Sequence, residues 1–469
     1  MLYTDLIFIL AIFPISAIIS LLDRSAEYKN MIMIITSLLF FSWGRPFYVC
    51  LLFLTFISEW LLGLGAAFAR EKKGKAAALP FVLISAAVNI ALFLHMGAGY
   101  LSVAKKRLAI DAAFLPAATA FYTVRGFSYV YDTGLGKIPA EKNPLCLLTY
   151  MCAYPTLLAG PVVRYGDMSS QIRSRELTTE MLNTGMNRIV WGLAKCVLAG
   201  QAFEGIKLAG LNSGEITTVG CYLGMLAFIA QFYFVFTGLC DMSRGFGLVC
   251  GFVLPANYKD YDPDELFSGF LMSVNHTVTG FFAEMSGAGE SKPAWRNAVA
   301  AIPTGLIMGA WFAWSVPAFE GIRRNVMVVG ITCAIVSAAE LLFLRKLMEK
   351  LPAVVKYIYI GAAAMTIFGG LYFESFYAYR KWLFALAGVG TKYTLSVAMK
   401  QELLSNLTII AVAFVCACPH VKKIVFTLTD SIAAKSRRTY GIVRGLKTLG
   451  TAIIFVASVF ELVVAYSGV

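Results

Sequence analysis

Apolar runs separated by short polar loops fill almost the whole sequence. Crossing a hydrocarbon layer takes about 20 residues of helix, and the runs at residues 6–22, 47–69, 76–94, 218–239, 326–343 and 354–373 approach or reach that length. Shorter or less uniform runs at 31–43, 114–131, 189–203, 298–314, 403–418 and 451–465 extend the set, and a brief one at 382–389 falls short of a full crossing length, leaving its crossing open. The run at 144–163 is cut by Pro155 and by Gly160-Pro161. Such a break strands backbone groups that lipid cannot satisfy, so the segment predicts a broken or re-entrant helix buried against protein. Residues 265–285 are amphipathic and predict a helix at an interface or within a funnel. The pattern predicts an all-α polytopic membrane protein. It forms a single transmembrane domain over residues 1–469, with about ten to twelve crossings plus re-entrant pieces.

Composition sharpens this picture. Hydrophobic residues make up 59% of the chain and charged residues 14%, with a mean hydropathy of +0.72. Soluble domains carry about 25% charged residues, so a water-soluble globular class is excluded. The net charge of +13 raises the question of nucleic acid. However, the basic residues sit in short loops between apolar runs, as the positive-inside rule expects, and can hold anionic headgroups. No basic stripe interleaves with exposed aromatics, so the expected partner is the lipid bilayer and nucleic acid is rejected. The loops at 70–75 and 435–447 are the most basic. Placing both in the cytoplasm puts both termini outside. The opening residues carry only an acidic charge, at Asp5, where a signal peptide wants a basic region; the first apolar run is read as a retained helix. The ten cysteines lack metal or Cys-x-x-Cys spacing and read as small buried hydrophobes. No internal repeat pairs two broken helices, which counts against a secondary transporter.

Ionisable residues inside membrane segments are costly and therefore candidates for function. Glu59 and Glu374 need partners there. Asp241 and Arg244, three residues apart on one helical face, are expected to pair. The richest stretch is residues 231–258, QFYFVFTGLCDMSRGFGLVCGFVLPANY, followed by Asn275-His276. Other polar-bearing blocks precede it: FFSWGRPFYVCLL at 40–52, TAFYTVRGFSYVYDTG at 119–134 and YPTLLAGPVVRY at 154–165. In content and order these four blocks resemble those of the membrane-bound O-acyltransferase (MBOAT) family, in its alginate-acetylating and teichoic-acid D-alanylating branch. The resemblance covers most of the chain, with a motif core at approximately 114–376.

The resemblance implies an MBOAT-like bundle around a central tunnel in the plasma (inner) membrane. It implies transfer of an acyl group, acetyl by family habit, toward hydroxyls of an exported or cell-surface polysaccharide. No bound cofactor is implied; the donor, acetyl-CoA or an acyl-carrier thioester, is a substrate. The implied partners are an extracytoplasmic glycan acceptor or a separate extracytoplasmic acetyltransferase. The family keeps two histidines at its centre. The first block aligns with FLMSVNHTVT at 270–279, where His276 is retained. The second aligns with GLIMGAWF at 305–312, where Met308 stands at the position of the family's catalytic histidine. A thioether has no titratable proton and is a weak acceptor, so Met308 cannot act as a general base. Val235 and Glu374 also depart from the family pattern. His276 is the candidate base, and Asn275, Arg164, Gln231, Tyr233 and Asn257 are candidate substrate-binding residues; no metal site is expected. For Arg164, contact with a phosphate or glycan carboxylate and snorkelling at headgroup level are evenly balanced. Gln231 and Tyr233 can face a tunnel or join helices. His95 and His420 read as core and loop residues. A second reading stays open: a catalytically inactive homologue serving as scaffold, acyl conduit or assembly subunit. A lipid or glycan transporter is the least favoured.

Overall fold

The computed structural model describes residues 2–22, 25–43, 46–98, 118–212, 216–259, 265–287, 326–348, 350–373, 375–392, 395–417 and 437–467, with the single positions 295, 297, 424, 427 and 431. Among the described residues the secondary structure is helical, and extended pairing is limited to the isolated bridges Thr217–Lys392 and Tyr258–Val274. An all-α polytopic membrane protein is therefore what the chain forms. Six described helical stretches are long and apolar enough to cross a membrane: Val49–Lys73, Lys75–Leu92, Thr179–Leu211, Thr218–Val249, Ala353–Tyr372 and Gly441–Ser467.

The chain divides into two compact units. The first comprises Met1–Gly185, Ser243–Ala363 and Gly370–Glu374; the second comprises Met186–Met242, Ala364–Gly369 and Ser375–Val469.

In the first unit, α1 (Phe13–Ser20), α2 (Ala26–Ser42), α3 (Phe47–Lys73), α4 (Lys75–Ala98), α5 (Ala118–Leu135), α6 (Pro144–Cys152) and α7 (Tyr165–Arg173) follow in order. Helices α3, α4 and α5 pack against one another. Arg70, Lys72 and Lys73 fill the last turn of α3, where the helix dipole favours cations, and Gly74 ends it with φ +83°. Glu59 is fully buried on α3. Its carboxyl accepts from Ser85 Oγ at 2.6 Å and Asn89 Nδ2 at 2.7 Å, both on α4. A Cβ at Gly126 of α5 would lie 2.8 Å from Glu59 Cγ, so only glycine lets α5 close over this pair. The partners that the sequence demands for Glu59 are thus neutral hydrogen-bond donors on the next helix. A second part of this unit is an aromatic core of Tyr3, Phe8, Phe40, Tyr154 and Phe246, with ring centroids 4.8–6.3 Å apart in mostly tilted or edge-on pairs. Tyr3 hydroxyl donates to the Tyr154 carbonyl at 2.6 Å.

The interrupted run at 144–163 breaks as its prolines predict. Helix α6 ends at Cys152, a short 3-10 turn spans Tyr154–Thr156, and the chain continues without regular structure through Gly160-Pro161 to α7. Every residue of this stretch from 147 to 163 is buried, as broken backbone at membrane depth requires.

In the second unit, α8 (Thr179–Ala194, whose first residues belong to the first unit) runs through a π-helical turn at Lys195–Ala199 into α9 (Gly200–Leu211). Helix α10 (Thr218–Val249) continues unbroken through Asp241 and Arg244 and carries the chain back to the first unit. Asp241 does not follow the pairing expected from spacing. Its carboxylate takes Lys195 Nζ at 2.5 Å and Arg188 Nη1 at 3.4 Å, while Arg244 Nε donates to the Leu254 carbonyl at 3.3 Å. The long cationic stems on the neighbouring helix reach Asp241, so the acid ties two helices together instead of decorating one face.

Candidate active site

Two short helices carry the histidine block. Helix α11 (Leu266–Ser273) is followed by Val274 and Asn275, and α12 (His276–Met285) begins at the histidine itself. Asn275 adopts the left-handed conformation, φ 58° and ψ 40°, which asparagine tolerates better than most residues. That single residue turns the chain between the two helices. The start of α11 is fixed from elsewhere: the buried Glu340 carboxylate accepts from the backbone amides of Phe267 at 3.1 Å and Ser268 at 2.7 Å, and from the Tyr359 hydroxyl at 2.7 Å. A carboxylate there satisfies orphan amides and complements the helix dipole.

Asn257 draws three sequence blocks onto one point. Its amide nitrogen donates to the carbonyls of Ala159 at 3.1 Å and Gly160 at 3.3 Å, and to Asn275 Oδ1 at 2.7 Å. Its amide oxygen accepts from Thr277 Oγ1 at 2.6 Å, and its backbone carbonyl accepts from the His276 amide at 2.9 Å. Thr277 Oγ1 in turn accepts from the Val162 amide at 2.9 Å. The blocks around residues 154–165, 231–258 and 270–279 therefore meet in space. Gly160 has no room for a side chain: a Cβ there would lie 2.5 Å from the Pro155 carbonyl and 2.7 Å from Ser243 Oγ.

Within this frame the site residues differ. Asn257 is 1% exposed, and both ends of its amide are committed to the scaffold. Asn275 is fully buried, and its Nδ2 has no hydrogen-bond partner among the described residues. His276 is exposed, with Nδ1 3.4 Å from the Met272 carbonyl. If Nδ1 carries the proton toward that carbonyl, Nε2 is left as an acceptor. Arg164 pairs with Asp132 at 3.1 Å and with Glu284, and its guanidinium lies 5.2 Å from the centre of the Phe281 ring. Lys137 pairs with Glu284 at 2.5 Å, and this contact, with Arg164, holds the Glu284 carboxyl below its ordinary value against the opposing effect of burial. Two acids thus already neutralise Arg164 in this structure.

Gln231 and Tyr233 lie in the second unit. Gln231 is buried, donates to Glu204 Oε2 at 3.0 Å and accepts from Lys207 Nζ at 3.1 Å, linking α10 to α9. Tyr233 is half-buried, with its ring edge-on to Phe234 at 5.2 Å. Met308 and Glu374 lie outside the described residues, as does His420. Among the described residues no group of His, Cys, Asp and Glu could hold a metal ion.

Thr277 and Glu340 are not among the residues the sequence singles out, and Arg125 stands out there only as a charge in the run at 114–131. Thr277 adjoins His276 in its block, which was the available signal. Arg125 is fully buried, donates to Thr156 and to Met168 Sδ at 3.5 Å, and lies 4.3 Å from the centre of the Tyr150 ring. An arginine within an apolar run was visible in the sequence as a charge needing an explanation.

Comparison with known proteins bears on this geometry. No protein-family model matches the chain. A curated protein of Pseudomonas syringae pv. tomato named "Probable alginate O-acetylase AlgI" is 28% identical over 241 residues, 50% of this chain and 46% of that protein. Its namesake in Pseudomonas aeruginosa is 28% identical over 272 residues, 55% of this chain and 51% of that protein. Over about half its length this chain is similar to proteins named probable alginate O-acetylases. It spans about half the length of the curated relatives it matches. A peptidoglycan O-acetyltransferase of Helicobacter pylori matches at 24% identity over 173 residues, 31% of this chain and 33% of that protein. The resemblance that the ordered blocks carry to membrane O-acyltransferases of this branch agrees with these relatives.

Proposed function

We propose that this protein is the membrane acyltransferase of a polysaccharide-acetylating system in the plasma membrane. It transfers an acetyl group from a thioester donor, such as acetyl-CoA or an acyl-carrier thioester, toward hydroxyls of an exported or cell-surface glycan, directly or through an extracytoplasmic acetyltransferase partner. One observation carries the reading: in a relative of two kinds of glycan O-acetylating protein, Asn257 gathers three motif blocks and leaves His276 exposed beside an unpartnered amide of Asn275. In this proposal His276 Nε2 takes the proton from the attacking hydroxyl as its oxygen bonds to the acyl carbon. The carbon–sulfur bond then breaks, and the imidazolium returns the proton to the leaving thiolate. Asn275 Nδ2 donates to the acyl oxygen as negative charge gathers there.

The test uses membranes containing the full chain, labelled acetyl donor and candidate glycans. Labelled glycan should form, and His276→Ala should slow its formation by roughly 10²–10⁴-fold. An unchanged rate in His276→Ala overturns the assignment of the base.

Met308 supports a second reading, in which the chain is an inactive homologue that serves as a conduit or assembly subunit. Under that reading the parent is silent and Met308→His restores transfer.

A further inference from the structure

A small cleft in the first unit lies among α1, α2 and the turn that follows α7. Its lining includes Lys29, Arg175, Ser16, Ser20, Thr36 and Tyr154, with two cations, four hydroxyls and no carboxylate.

Arg175 is the decisive member. It is 6% exposed, yet among the described residues none of its contacts is with an acid. Its Nη2 donates to Asn30 Oδ1, Nη1 lies 3.5 Å from the Cys250 carbonyl, and the guanidinium sits 4.2 Å from the centre of the Phe252 ring. Its Nε is buried with no partner among the described residues. Burial lowers its pKa to about 10, with only a small opposing effect of Cys250, so it remains a cation at neutral pH. A buried guanidinium costs several kcal/mol unless an anion or full hydrogen bonding compensates it, and here one donor is left over. Lys29, half-buried across the cleft, also has no ion pair among the described residues.

Two cations facing one cleft match the oxygens of a phosphate group, while the Ser16 and Ser20 hydroxyls beside them donate to the Phe13 and Ala17 carbonyls of their own helix. A guanidinium offers a fork of donors to such oxygens, and basic pockets between membrane helices hold phosphate headgroups. Ile15 and Ile18 of α1 are exposed at 56% and 63%, and Leu22 just beyond its end at 76%, an apolar surface suited to acyl chains. We propose that this cleft binds a phosphate ester, held by Arg175 and Lys29. The site is separate from the histidine region and does not rest on the acetyl-transfer reading.

The test is native mass spectrometry of the delipidated full chain in detergent. It is titrated with phosphatidylglycerol, with phosphatidylcholine as the lipid whose headgroup bears its own cation, and with glycerol 3-phosphate as a chain-free phosphate ester. Phosphatidylglycerol should be retained over phosphatidylcholine. Lys29→Gln and Arg175→Gln should each weaken its retention about fivefold, with Arg175→Lys close to the parent. Lys72→Gln, a cation on α3, should leave retention unchanged. Displacement by glycerol 3-phosphate supports the site with a soluble ester as its source; retention of lipid against it supports the site with a phospholipid as its source. If Arg175→Gln fails to fold, Lys29→Gln and Arg175→Lys still decide the matter. Retention that is equal for the two lipids, or unchanged in Lys29→Gln, overturns the proposal.

Discussion

Asn275 joins conformation and chemistry at a single position. Its left-handed backbone starts α12, its Oδ1 accepts from Asn257, and its Nδ2 has no partner among the described residues. Two substitutions separate these roles. Asn275→Gly removes the amide but suits the backbone, because glycine has no Cβ to strain the left-handed region. Asn275→Ala removes the amide and adds about 1–2 kcal/mol of strain. The alanine variant should therefore melt below the glycine variant in detergent. If Asn275 Nδ2 supports the acyl oxygen, both should lose kcat by a similar factor despite their different stabilities. A loss of activity that tracks melting temperature would assign Asn275 a scaffold role alone. Asn257 is the contrasting case: its polar atoms are all engaged with the protein, so its contribution is to hold other residues in place.

At the level of elements, the loop between α5 and α6 is fastened by one acid. Glu141 is 5% exposed. Its carboxylate accepts from the Tyr165 hydroxyl, from Arg173 Nη2 at 2.5 Å and from the Asn143 amide at 2.8 Å, while its own amide accepts nothing but donates to the Tyr129 hydroxyl at 2.9 Å. Burial pushes this carboxyl up, but the hydrogen bonds from Tyr165, Asn143 and Arg173 outweigh it and hold its pKa below the ordinary value. The ionised form is thus favoured by folding. Its stabilising contribution is complete above the unfolded value of about 4.3 and is lost as pH falls through the depressed native value. Glu141→Gln should melt below the parent at pH 7, and that gap should close as the pH is lowered past 4. A gap that is constant with pH would mean that the charge of Glu141 contributes nothing. Element boundaries also show what periodicity can convey. The break at Pro155 and Gly160-Pro161 was readable because proline and glycine act locally. The partners of Asp241 were not, because Arg188 and Lys195 are brought to it by helix packing that spacing along one helix does not encode.

For the whole molecule, the apolar pattern announced the helical membrane class, and the order of the blocks announced its relatives. The meeting of those blocks at Asn257 could not be read from the sequence, since hydrogen bonds across about 100 residues follow from packing. The same is true of Glu340, which caps α11 from a helix far along the chain, and of the cleft at Arg175, whose walls come from residues as distant in sequence as Ser16, Tyr154 and Cys250. Charge within apolar runs was nevertheless a usable signal: Glu59, Arg125 and Asp241 each proved to be held by specific polar neighbours. The hairpin of α3 and α4 has a consequence for how the protein enters the bilayer. One residue, Gly74, separates the two helices, and both hydroxyl and amide partners of Glu59 lie on the second. An acidic residue near the middle of a helix opposes its partitioning from the translocon by about 2.5–3.5 kcal/mol. Helix α3 emerging alone carries that penalty, whereas α3 with α4 presents a joined pair whose polar atoms already face each other. Biogenesis should therefore wait for α4. In a glycosylation-mapping assay, a nascent chain truncated before α4 should integrate α3 less efficiently than one that includes it. Ser85→Ala with Asn89→Ala should remove the advantage, and Glu59→Leu should make α4 dispensable; equal integration of the long and truncated chains would show that α3 commits to the membrane on its own.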